Sequence, residues 1–252
     1  MSNRRNASGN AALGSRRSRF NSYQIGGVVA VIAIGVLGLV LALHSTGSTT
    51  PLAGASSGCA KPPAPPTRVQ SFSHAPSMSL AQGTRWTATV STNCGDIVFD
   101  LYGDKAPQTV SSFLQLARAG YWSDSPCQRL TTAASGIYVL QCGDPTGTGR
   151  GTPGYGFGIE NAPADGNYPA GTLAMARTSD PNSNGGQFFV VYKDTKLPTT
   201  GGGYSIFGRV TKGMAIVDGI ARQGVANSIG PGDGAPAKPI SILKIAVVKN
   251  AA

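Results

Sequence analysis

The chain has 252 residues, 40% of them hydrophobic, and a formal net charge of +10, which is room for one sizeable domain with appendages. All eleven acidic residues lie at Asp96 or later, while Arg4, Arg5, Arg16, Arg17 and Arg19 sit in an acid-free N-terminal tail; without those five, 16 basic residues face 11 acidic ones, a balance of +5. A nucleic-acid-binding domain would carry clustered Lys and Arg with interleaved aromatics on a folded face, so no nucleic-acid partner is expected.

In chain order, residues 1–24 form the basic tail, and residues 25–43 follow as nineteen uncharged, almost wholly apolar positions. A helix of that length spans about 28 Å, close to the hydrocarbon thickness of a bilayer, and predicts one transmembrane helix. Arginines before it and none close behind place the N-terminus in the cytoplasm and the rest of the chain outside, a single-pass protein of the cell membrane. A cleavable signal peptide is the competing reading, since Ala53-Gly54-Ala55 offers a small-residue cleavage site. Against it, the apolar run exceeds the usual length of such peptides and that site lies about a dozen residues too far on.

Residues 44–83 contain no acid and are rich in Ser, Thr, Gly, Ala and Pro, with Pro62, Pro63, Pro65 and Pro66 in one run. The composition predicts an extracytoplasmic linker, a flexible coil spanning about 35 Å. Cys59, Cys94, Cys127 and Cys142 all follow the apolar segment, in a compartment where disulfides persist, and four cysteines leave three pairings open.

The domain is expected over residues 84–252. Trp86, Ala88 and Val90 alternate with polar positions, as do Ile97, Phe99 and Leu101 after the turn at Asn93–Asp96, which predicts an antiparallel hairpin. Pro107 then opens an amphipathic helix whose buried stripe is Val110, Phe113, Leu114 and Ala117, ending before Gly120. A second helix is predicted from about Lys212 to Arg222, with Val217, Ile220 and Ala221 inward and Gly224 past its end, and a last strand from Ile240 to Val248. Many short strands and two separated helices predict a mainly β fold, a closed antiparallel barrel plugged by a helix at each end.

Both histidines, His44 and His74, precede the domain, and no Cys-x-x-Cys pair exists. A Ser/His/Asp triad, a histidine-ligated metal and an imidazole base are thereby excluded from the domain; no metal and no cofactor are expected. The run Gly149-Arg150-Gly151-Thr152-Pro153-Gly154 matches a dinucleotide fingerprint in spacing, but Pro153 interrupts it and no strand-to-helix transition follows. It reads as a glycine-rich loop.

One set of scattered residues does carry chemistry: Arg129, then Tyr138 to Asp144, then Met175-Ala176, then Asn184 to Phe189 with Gln187-Phe188-Phe189 the most specific run, then Phe207-Gly208. A guanidinium, two amides and several apolar groups suit a site that holds a peptide and twists it without cutting it. With the strand Gly95–Tyr102 and the helix opener Lys105–Phe113, this order resembles the cyclophilin family of peptidyl-prolyl cis-trans isomerases over residues 84 to 249, in a bacterial, membrane-anchored form.

The resemblance implies an eight-stranded barrel capped by two helices, no cofactor, and proline-containing polypeptides as substrates, among them exported proteins as they fold. It implies Arg129 as the catalytic donor to the prolyl nitrogen. It implies an apolar cup of Tyr138, Val139, Phe189 and Leu197 for the proline ring, and Gln141, Gln187 and the main chain at Ala176 and Arg177 holding the peptide. Tyr204 stands where many members carry a histidine. Cys127 and Cys142 would fall on neighbouring antiparallel strands and pair, leaving Cys59 with Cys94. Arg177 replaces the family's asparagine, and Leu197 stands where many eukaryotic members have a tryptophan, so cyclosporin binding is expected to be weak. A proline-peptide binding module or chaperone on the same fold, without turnover, is the alternative.

Overall fold

The structure is a computed structural model, and it describes residues 58–251. The basic tail, the apolar segment 25–43 and residues 44–57 of the expected linker lie outside the described residues. Among the described residues no helix is long and apolar enough to cross a membrane.

The hairpin forms where alternation predicts it, as β1 (Arg85–Thr92) and β2 (Gly95–Tyr102), paired from Arg85↔Tyr102 to Thr92↔Gly95. Trp86, Ala88, Val90, Ile97, Phe99 and Leu101 are all buried. Helix α1 (Pro107–Arg118) follows with Pro107 in its first turn, and Val110, Phe113, Leu114 and Ala117 face the core. Ala106 has no side chain to cap this helix. Glu160, distant in sequence, caps it instead: its carboxylate accepts from the Gln108 N–H at 3.0 Å, the Thr109 N–H at 2.7 Å and the Thr109 hydroxyl at 2.7 Å. An anion at a helix N-terminus also meets the favourable end of the dipole.

The remaining elements are β3 (Ser125–Pro126), β4 (Arg129–Thr131), β5 (Val139–Cys142), β6 (Asn167–Tyr168), β7 (Thr172–Met175), β8 (Phe188–Val191), β9 (Thr195–Lys196), β10 (Ile206–Lys212), α2 (Met214–Ala221), β11 (Val225–Gly230), β12 (Asp233–Pro236) and β13 (Ser241–Lys249). A 3₁₀ turn at Ala133–Ser135 occupies the loop between β4 and β5. Val217 and Ile220 of α2 are buried and Ala221 is half-buried.

The strands do not close into the expected ring of eight. Eleven strands form one open hydrogen-bonded sheet in the order β11-β12-β4-β5-β8-β7-β10-β2-β1-β13-β3, and β6 and β9 pair separately. Among the described residues no ladder joins its two ends. The circuit is completed by the chain itself, because β3 at one end and β4 near the other are separated only by Cys127 and Gln128. The physical reason is that one continuous stretch changes partners midway: Ser125 and Pro126 pair with β13, and Arg129 and Leu130 with β5.

Strands β7 and β8 are buried on both faces, as is β5 apart from half-buried Gln141, so their sequence shows no alternation. On one side Leu140, Cys142, Leu173, Met175, Phe188 and Val190 join the main core. There Phe113 of α1 packs against Trp122 at 4.8 Å, Phe207 at 5.6 Å and Phe188 at 5.8 Å between ring centroids. On the other side Val139, Ala174, Phe189 and Val191 form a second, smaller cluster.

Residues 58–83 differ from the expected free coil. They form a strap laid on the domain, fastened by the Cys59–Cys94 disulfide and by reciprocal bonds between Ala60 and Asn93 at 2.8 Å. Further on, the Gln70 amide donates to the Ala119 carbonyl at 2.8 Å, Phe72 N–H to the Pro153 carbonyl at 2.8 Å, and the Gln108 amide to the Pro76 carbonyl at 2.9 Å. The Phe72 ring packs against Tyr121 and Tyr155. Buried apolar contacts and satisfied carbonyls outweigh the coil entropy that the composition alone suggests.

Candidate peptide-binding site

Register builds the site. Arg129 of β4 lies opposite Gln141 of β5, Gln141 opposite Phe189 of β8, and Phe189 opposite Ala174 of β7. Directly opposed residues project to the same face of a sheet, and the two-residue period adds Val139 on β5 and Gln187 just before β8. Six residues far apart in sequence thus share one face.

The polar members form a chain of hydrogen bonds. The Arg129 Nη1 donates to Gln141 Oε1 at 3.2 Å, Gln141 Nε2 donates to Gln187 Oε1 at 2.9 Å, and Gln128 Nε2 donates to the same oxygen at 2.9 Å. Gln187 Nε2 then donates to the carbonyls of Gly149 at 3.1 Å and Gly151 at 2.9 Å, in the glycine-rich loop. Gln187 is therefore fully used, whereas Gln141 keeps one N–H and one lone pair free for a ligand.

Arg129 has a partner that sequence reasoning missed. Its Nε donates to Asp233 Oδ1 at 2.8 Å and its Nη2 to Asp233 Oδ2 at 2.6 Å, a bidentate ion pair. The hydrogen bond to Asp233 raises the guanidinium pKa above its ordinary value; partial burial opposes this, and the Asp233 charge adds to it. The arginine is a permanent cation held by one edge.

The apolar members also come together. Val139, Phe189 and Leu197 share one buried cluster with Tyr168, against which Tyr204 packs. The Phe189 and Tyr204 rings meet edge to face at 5.7 Å. Tyr168, also unforeseen, fixes Tyr204 by accepting from its N–H at 2.8 Å and donating to its carbonyl at 3.0 Å. Tyr138 is not brought into this cluster: its ring packs against Tyr192 at 5.8 Å, with the Lys193 ammonium 4.8 Å from its face.

Two adjoining clefts flank Gln141. One of about 280 Å³ is lined by Gln141, Gly151, Ala176, Arg177 and Gln187 among others. The other, of about 460 Å³, is lined by Gln128, Arg129, Gln141, Arg150, Asn227 and Ile229 among others. Ala176 N–H donates to the Gln187 carbonyl at 3.0 Å. Arg177 spends three donors on the carbonyls of Gly203, Thr178 and Thr200 at 2.7 to 3.0 Å, and its guanidinium lies 5.0 Å from the Tyr204 ring centroid. It ties down the loop before β10.

The cysteines pair as Cys127–Cys142 and Cys59–Cys94, with no free thiol among the described residues. Cys127 precedes Arg129 by two positions and Cys142 follows Gln141, so this bridge clamps the Arg129–Gln141 rung. Behind the glycine-rich loop, buried Asp144 accepts from Thr146 N–H at 2.8 Å, the Thr146 hydroxyl at 2.7 Å and Gly151 N–H at 3.0 Å. Burial alone would raise its pKa, but these bonds together bring it below the usual carboxylate range. Among the described residues no three His, Cys, Asp or Glu side chains are grouped as metal ligands would be.

The chain can now be set beside known proteins. The family model described as "Cyclophilin type peptidyl-prolyl cis-trans isomerase/CLD" matches residues 87–247. The chain is 42% identical over 168 residues to the probable peptidyl-prolyl cis-trans isomerase B of Mycobacterium tuberculosis, covering 61% of this chain and 52% of that protein. It thus spans about half the length of the mycobacterial relative. Among solved structures, a cyclophilin type peptidyl-prolyl cis-trans isomerase of Cryptosporidium parvum superposes with a TM-score of 0.54 at 30% identity, over 66% of this chain and 99% of that one. The same protein determined in the presence of the dipeptide Ala-Pro gives a TM-score of 0.53 at 31% identity, over 65% and 99%. The matched segment carries the hairpin, both helices and the Arg129 to Phe189 row, and the chain belongs to the cyclophilin-type peptidyl-prolyl cis-trans isomerase family.

Proposed function

We propose that this chain is a peptidyl-prolyl cis-trans isomerase acting on X-Pro bonds of exported proteins as they fold. The observation that carries it is the single row in which the Arg129 guanidinium and the Gln141 amide stand beside the Phe189 cup. The crystal of the Cryptosporidium relative with Ala-Pro supports a proline peptide as the ligand.

The chemistry asks only for preferential binding of a twisted amide. Lone-pair donation into the carbonyl sets a barrier of about 18–20 kcal/mol, and spontaneous exchange takes on the order of tens to hundreds of seconds. An acceleration of about 10⁵ requires roughly 7 kcal/mol of added transition-state stabilisation. As the amide leaves planarity its lone pair localises on nitrogen, which then accepts a hydrogen bond that the planar ground state cannot. Arg129 supplies that donor, Val139, Phe189 and Leu197 seat the ring, and Gln141 with the main chain at Ala176 and Arg177 holds the flanking peptide while the bond turns. Tyr138, whose ring packs against Tyr192, is left out of the cup.

The test is the cis-to-trans rate of a short X-Pro peptide with the full chain and with Arg129→Ala. Loss of one donor aimed at transition-state charge lowers kcat/KM by about 10²–10³. Peptide binding without acceleration in the wild-type chain would replace the enzyme by a binding module.

The setting we propose is a cell membrane, with residues 25–43 as a single-pass anchor, the N-terminus cytoplasmic and the domain outside. The apolar run, the arginines ahead of it and two disulfides downstream support this. Protease added to intact cells should remove the domain; protection of the domain would reverse the orientation. With Leu197 in the cup, cyclosporin binding is expected to be weak, and tight inhibition in the same peptide assay would contradict it.

A further inference from the structure

The remaining unexplained feature of the site is the hairpin β11–β12, which carries Asp233. Asp233 and Gly234 pair with Thr131 and Leu130, beside Arg129. Gly232 has φ +63, and a Cβ there would lie 2.5 Å from Thr132 Oγ1 and 2.9 Å from both Ala134 Cβ and Ser135 N. A Cβ on Gly234 would lie 2.7 Å from the Ala226 carbonyl oxygen and 3.0 Å from Ser228 Cα. Side chains are therefore excluded on both neighbours of Asp233. The turn is pressed onto the 132–135 loop below and onto its own partner strand, and between the two glycines stands a carboxylate.

The donors of Arg129 can be counted. A guanidinium has five N–H groups in a fixed fork. Asp233 takes the one on Nε and one on Nη2, and Gln141 takes one on Nη1. Two are left, one on each Nη, at a residue that lines the larger cleft. Without the carboxylate, a half-exposed arginine on a three-residue strand would spread over its rotamers.

Resting on the isomerase reading above, we propose that Asp233 is a positioning residue for the reaction: it grips one edge of the Arg129 guanidinium so that the two remaining N–H groups are held toward the prolyl nitrogen. The reaction moves no proton, so the ion pair acts through orientation. Its loss lowers turnover more than it weakens peptide binding.

The experiment compares the full chain with Asp233→Asn, Asp233→Ala and Gly234→Ala in the X-Pro peptide assay, with melting temperature measured for each. Asn keeps a similar shape and one acceptor but cannot hold the cation by two charge-assisted bonds, so kcat falls about tenfold while KM changes less than twofold. Ala at 233 falls at least as far. Gly234→Ala keeps the carboxylate but displaces the hairpin, and it too lowers kcat, which covers the case of an unstable Asp233 variant. The Arg129 Nε–H resonance, identified by its absence in Arg129→Lys, exchanges slowly in the wild type and fast in both Asp233 variants.

The proposal is overturned if kcat of Asp233→Asn stays within twofold of wild type, if the loss resides in KM, or if the Nε–H is unprotected in the wild type. A wild-type chain that shows no acceleration but a protected Nε–H would sink the isomerase reading while leaving the grip on Arg129 in place.

Discussion

The polar row and the apolar cup share one face of the same strands, yet they are held in different ways. Arg129, Gln141 and Gln187 are half-buried and fixed by one another, by Asp233 and by loop carbonyls. Val139, Phe189 and Leu197 are buried and fixed by packing. A hydrogen-bonded row fails by misdirection, leaving the fold in place, whereas a packed cup fails by leaving a cavity. Function and stability should therefore separate along the row.

The largest effect is expected at Phe189, on the packed side of this contrast. Replacement by alanine empties a buried position and should cost about 3–5 kcal/mol of stability, with KM rising as the cup opens; thermal unfolding with peptide kinetics checks both. If stability is unchanged, the ring belongs to the surface and the contrast collapses. Next comes the Cys127–Cys142 bridge, which closes a loop of 15 residues. Cys127→Ser with Cys142→Ser should cost about 3 kcal/mol and, because the bridge clamps the Arg129 rung, lower kcat as well. Denaturant midpoints and rates, measured in parallel, would show whether the two losses travel together.

Gln187→Ala is smaller and sharper. It removes the link between Gln141 and the glycine-rich loop, and should reduce kcat/KM about tenfold, as befits a lost hydrogen bond near a charged group, with little change in melting temperature. The smallest effect is on acid stability. Asp144 has its folded pKa below the ordinary 3.8, so its contribution is complete above that value, declines as pH falls below it, and is gone once pH passes the depressed folded value. Asp144→Asn should flatten this part of the acid unfolding curve while the neutral-pH rate constant stays near wild type. An unchanged acid limb would mean that Thr146 and Gly151 contribute nothing through the charge.

How far the sequence could be read follows from the range of each interaction. The β1–β2 hairpin and α1 announce themselves because half-burial prints a period of two or of 3.6 on consecutive residues. Strands β7 and β8 print no period, being buried on both sides, and neither does β5, where only Gln141 is half-buried; only the resemblance carried by Gln187-Phe188-Phe189 placed their residues at a site. It also supplied both disulfide pairings, which spacing left open. Asp233 was invisible for another reason: it is one of eleven acids, it sits between glycines, and its partner lies 104 positions away. Tyr168, 36 residues from Tyr204, escaped in the same way. The strap was misread because proline-rich composition describes how a segment behaves alone, while Phe72 and the Cys59–Cys94 bridge describe what it meets.

That strap gives the domain an unusual response to cutting. The stretch between Cys59 and Cys94 includes the turn at Met78–Leu80, whose three residues are all exposed. A single nick there does not part the two ends, because Cys59 and Cys94 still join them. The fragments would migrate as one species until a reductant is added, so parting them takes sulfur chemistry as well as peptide-bond hydrolysis.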